Sequence, residues 1–97
     1  MYISSMINRY IQKTVFIDPK YVLKDMGIVE GDTVVDYGSG AGHWTLAAAK
    51  LVGSKGRVLA VENDEGLLGL VSGRAELAGY TNVETALVDL ETGTTGE

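Results

Sequence analysis

Apolar positions recur along the chain at two spacings. Ile3, Met6, Ile7, Tyr10 and Ile11 fall at i, i+3, i+4, i+7 and i+8, the stripe of an amphipathic helix over about residues 2–13. Residues 14–17 are β-branched and aromatic and predict a short extended link. Asp18-Pro19 then predicts a second helix start, with Asp18 as N-cap and Pro19 at the first helical position; Tyr21, Val22, Leu23 and Met26 supply its apolar side and Gly27 ends it. After a turn at 30–32 the pattern becomes strand, helix, strand, helix, strand. Strands are predicted over 33–37, 57–62 and 83–88, and helices over 43–52 and about 65–78. The run Val58-Leu59-Ala60-Val61 is apolar throughout, as in strands covered on both faces. Gly66, Gly69 and Gly73 weaken the last helix by up to ~1 kcal/mol each relative to alanine. Residues 91–97 carry no apolar pattern and read as a frayed tail.

Alternating strands and helices with short connections predict an α/β fold, a parallel sheet built by right-handed crossovers. The 97 residues suffice for one small domain: helix and link over 1–17, the α/β part over 18–90, and the tail over 91–97. With 45% hydrophobic and 22% charged residues the composition is that of a globular chain. There are no cysteines, so apolar burial must hold the fold without disulfides or thiolate zinc. The net charge of −5 argues against a protein that grips a phosphate backbone. Arg9 and Lys13 make the first 17 residues +2, a solvated helix face rather than a binding patch. No apolar run approaches the ~18 residues of a membrane span, and the start does not read as a secretory signal, so a cytoplasmic location is expected.

Between the first strand and its helix lies Asp36-Tyr37-Gly38-Ser39-Gly40-Ala41-Gly42. Three alternate glycines permit positive φ and let a ligand touch the main chain. The loop departs from G-x-G-x-x-G, because its third glycine falls at Gly42 and His43 follows. A ligand-free turn and a dinucleotide site are the alternatives on these residues alone. Here the chain resembles the class I S-adenosylmethionine-dependent methyltransferases, whose first motif is an acid, one residue, then G-x-G-x-G. The resemblance spans about 18–90 and implies a three-layer, Rossmann-like half-domain whose three parallel strands lie in the order 3-2-1. Nothing corresponds to the family's fourth to seventh strands or to its later substrate-side motif.

The resemblance implies S-adenosylmethionine as cofactor. Gly38, Ser39, Gly40 and Gly42 then offer main-chain groups to its amino-acid end, and Asp36 orders the loop and the amino group. Glu62 closes the second strand, 24 positions after Gly38, and matches a carboxylate accepting from the ribose hydroxyls, with Asn63 assisting. On spacing alone Glu62 fits NAD chemistry equally well. Asp89 matches the acid that accepts from the adenine amino group, with the Leu90 amide available to a ring nitrogen. His43, the one histidine, is a candidate general base or simply a surface residue at a helix start. Trp44, Tyr37 and Tyr21 read as packing residues. No catalytic residue is assigned, and no cluster suggests a metal. The favoured function is methyl transfer to an unspecified acceptor; the alternatives are a non-catalytic cofactor-binding or scaffold module and a dinucleotide-binding module.

Two right-handed crossovers in one direction put both helices on one face of the sheet and leave the other bare. At roughly 25 cal/mol per Å2, several wet valines and leucines forfeit several kcal/mol, a large share of a small domain's stability. The expected remedy is a homodimer paired through the edge of the first strand, with the N-terminal helices covering the bare faces.

Overall fold

The computed structural model describes residues 18–89. Asp18 takes an extended conformation and its side chain accepts from the Lys20 amide, so α1 starts at the proline (Pro19–Asp25). Met26 is its C-cap, and Gly27 follows at φ 90°. β1 (Thr33–Tyr37), α2 (His43–Val52), β2 (Arg57–Glu62), α3 (Glu65–Ala78) and β3 (Val83–Leu87) follow in order. Asp64 caps α3 by accepting from the Leu67 amide, and Gly79 ends that helix in the left-handed region. The three glycines inside α3 occupy exposed positions, and Leu68, Val71 and Ala75 form the buried stripe. Their cost therefore falls on helix propensity and leaves the packing intact.

Both strand pairs are parallel, in the order β1-β2-β3. This is the α/β half-sheet that the sequence pattern predicts. Registers Val34↔Val58↔Val83 and Asp36↔Ala60↔Thr85 define one face. Val34 and Val58 pack there with Ala48, Ala49 and Val52 of α2, and with Leu23 and Ile28 from α1 and the chain after it. Val71 of α3 lies against Gly42 at the start of α2, so the helices share that face.

Val35, Tyr37, Leu59, Val61, Glu84 and Ala86 stand on the opposite face, because successive strand side chains alternate. Tyr37 is 42% exposed, Val35 and Leu59 are half-buried and Val61 is buried. This face is thus less naked than the sequence suggests. Val61 belongs to the central strand, in register between Tyr37 and Ala86, and is flanked from both sides. An exposed Arg57–Glu84 bridge of 2.7 Å crosses from β2 to β3. The predicted helix over 2–13 and the tail over 91–97 lie outside the described residues.

Candidate functional site

At the end of β1 the chain bends sharply. The Gly38 and Ser39 amides both donate to the Val61 carbonyl, at 2.7 and 3.1 Å, and the Gly42 amide donates back to Ser39 O at 3.0 Å. Gly38, Gly40 and Gly42 have φ of 67°, 55° and 90°, conformations that side chains disfavour. The glycines nevertheless differ in surroundings. A Cβ at Gly38 or Gly40 would meet nothing within 4 Å, whereas one at Gly42 would lie 2.8 Å from Val71 Cγ2. Gly42 serves helix packing; Gly38 and Gly40 leave open space beside the main chain. No side chain caps the start of α2, whose N-cap is Gly42, so the positive end of that helix faces the bend. Ser39 is 9% exposed, and its buried Oγ has no hydrogen-bond partner among the described residues.

Two carboxylates support the bend from the helix-covered face of the sheet. Asp36, 3% exposed, accepts from Thr45 Oγ1 at 2.7 Å. Burial pushes its carboxyl above the usual 3.8, the Thr45 hydrogen bond opposes that rise, and the charge of Glu62 adds to it. Glu62 is 7% exposed. Its Oε1 accepts from the Gly40 amide at 3.0 Å, and its Oε2 accepts from the Asn63 and Asp64 amides at 2.8 and 3.1 Å. One carboxylate therefore ties the glycine bend to the turn after β2. A carboxylate has about four acceptor sites, so Glu62 retains roughly one for another donor.

The third strand brings its end to the same place. Glu62 is in register with Leu87, and the Val88 amide donates to Glu62 O at 3.0 Å. Asp89, exposed, follows at once. The ends of β1, β2 and β3 thus gather Asp36, the 38–42 bend, Glu62, Asn63 and Asp89 along one margin of the sheet. Leu90 lies outside the described residues. His43 is exposed at the first position of α2.

Three side-chain contacts escape the sequence reading. Thr45 reads there as one more helix residue; the available signal is a hydroxyl on the side of α2 that also buries Ala48, Ala49 and Val52. Arg74 of α3 reaches across to the bend, its Nη1 donating to Ala41 O at 3.0 Å. Asn82 donates through Nδ2 to Ala49 O and Gly53 O, at 2.9 and 2.8 Å, closing the last turn of α2. Neither contact has a local pattern, since each joins residues about 30 positions apart. Among the described residues there is no group of three or more histidine or acidic side chains that could hold a metal, and no helix long and apolar enough to cross a membrane.

The chain is similar in sequence and fold to known proteins. A family model described as a methyltransferase domain matches residues 28–95. Demethylmenaquinone methyltransferase of Staphylococcus aureus strain MRSA252 is 38% identical over 65 residues, which cover 67% of this chain and 26% of that protein. The crystal structure of a SAM-dependent methyltransferase from Aquifex aeolicus superposes with a TM-score of 0.66 at 40% identity, over 69% of this chain and 36% of that one. Coclaurine N-methyltransferase, crystallised with N-methylheliamine and SAH, gives 0.72 at 28% identity, over 81% of this chain and 23% of its own. The chain spans about a quarter of the length of the curated relatives it matches. It belongs to the methyltransferase-domain family.

Proposed function

We propose that the chain binds S-adenosylmethionine at the 38–42 bend and forms the cofactor half of a methyltransferase site. The observation that carries this reading is the convergence at one sheet margin of an open glycine bend, a helix start without a side-chain cap, and acids at the ends of all three strands. The cofactor supplies an electrophilic methyl group on a sulfonium. The main chain beside Gly38 and Gly40, with the positive end of α2, suits the carboxylate of its amino-acid end. Asp36 supplies negative charge for the amino group. Glu62, with three backbone donors already on it, has room for about one ribose hydroxyl rather than two. Asn63 stands beside it, and Asp89, just after β3, is assigned to the adenine amino group.

Such a site accelerates methyl transfer mainly by holding acceptor and methyl in line. The acceptor side is not assigned, and His43 is the candidate base closest in sequence to the bend. We further propose a homodimer through the outer edge of β1, aided by the segment over 2–13, and a cytoplasmic location. The reading is tested by calorimetric titration with S-adenosylmethionine and its demethylated product, followed by transfer of labelled methyl to a panel of acceptors. Saturable heat that NAD does not compete away is expected. Absence of heat contradicts the cofactor reading. Heat without label transfer favours a non-catalytic binding module, and competition by NAD favours a dinucleotide site.

A further inference from the structure

We infer that Thr45 is a positioning residue for the cofactor: by donating to Asp36 it keeps that carboxylate in one orientation and in its charged form at the foot of the glycine bend. The inference rests on the cofactor site proposed above. Thr45 is fully buried, and its 2.7 Å hydrogen bond is the length of a strong, charge-assisted one. In α2, where Ala47, Ala48 and Ala49 follow, a threonine is a poorer helix former than alanine. What its hydroxyl adds is contact with Asp36.

Two influences work against an ionised Asp36, burial and the neighbouring Glu62, and the Thr45 hydrogen bond works for it. Among the other charged or titratable groups on the packed elements, Lys20, Tyr21, Lys24 and Asp25 of α1, His43 and Lys50 of α2, Arg57 of β2, and Glu65, Arg74 and Glu76 of α3 are exposed, and Glu62 is the one whose charge bears on Asp36. No described cation shares the task with Thr45. The charge matters because the amino-acid end of the ligand carries an ammonium group, for which an ionised carboxylate is a much better partner than a neutral acid.

The test compares the unmutated chain with Thr45→Val, Thr45→Ala and Thr45→Ser. Carbon-detected NMR follows the Asp36 carboxyl through a pH titration without cofactor. The midpoint is expected to lie higher in Thr45→Val and Thr45→Ala than in the unmutated chain, and to return in Thr45→Ser; an unchanged midpoint overturns the inference. Titration with S-adenosylhomocysteine then reads the consequence. Between the Asp36 midpoints that the first titration gives for the two chains, Thr45→Val is expected to bind about tenfold more weakly and to recover above its own midpoint, while Thr45→Ser follows the unmutated chain. A loss of the same size at every pH overturns the role, because it marks altered packing. Thr45→Ala gives the same reading should the valine variant not fold. If the unmutated chain binds nothing, the cofactor site itself fails and this role with it; the carboxyl titration identifies the case in which the site stands and only the Thr45 role falls.

Discussion

Asp36 holds a carboxylate where water barely reaches it, and the consequence for stability has a definite sign. Its carboxyl is raised above 3.8 in the folded chain, chiefly by burial. The folded chain therefore keeps a proton at pH values where the unfolded chain has released it. Stability falls as pH rises from 3.8 through the raised value, and the loss persists above it. Asp36→Asn removes that titration and keeps an acceptor for Thr45. Calorimetry at pH 7 should show its melting temperature a few degrees above that of the unmutated chain, the gain shrinking towards pH 4, while cofactor affinity falls. Glu62 is held differently: its two oxygens accept from three backbone amides. Glu62→Gln replaces one acceptor oxygen with a donor and leaves at least one partly buried amide poorly served, at about 1–3 kcal/mol in urea unfolding. Neither environment can be read from the sequence: Asp36 and Glu62 are 26 positions apart, and their partners become visible only once the strands are in register.

The elements themselves were far more legible. The apolar run over 58–61, Asp18-Pro19 and the glycines at 27, 53 and 79 mark the elements or their ends, because caps and turns are local chemistry. Predicted and observed limits agree at both ends of β1, α2 and β2. The reading stops at contacts between elements, such as Asn82 on the last turn of α2 or Arg74 on the Ala41 carbonyl. The three glycines of the bend look alike in sequence, yet the structure separates them. Gly42→Ala must accept φ 90° and push aside Val71 Cγ2 at 2.8 Å, a cost of about 1–3 kcal/mol. Gly40→Ala meets open space at φ 55°, a cost of about 1–2 kcal/mol from backbone strain alone. Urea unfolding beside cofactor titration should rank Gly42→Ala as the less stable variant. Gly40→Ala should lose more affinity than its stability change explains.

For the whole molecule, the sheet has one covered face and one partly covered face, and β1 has a strand neighbour on one side only among the described residues. In the proposed homodimer a second β1 extends the ladder. Light scattering at micromolar concentration should give twice the mass of the 97-residue chain, and a stable monomer would contradict the pairing. Whatever the assembly, the proposed cofactor site lies along the margin where the strands end. The most direct test is a titration of the isotope-labelled chain with S-adenosylhomocysteine, followed by backbone amide NMR. The largest shifts are expected at residues 38–42, at Glu62 and Asn63, and at Val88 and Asp89. A spectrum left unchanged at saturating ligand, or shifts confined to the opposite margin around Gly53 and Asn82, would contradict it.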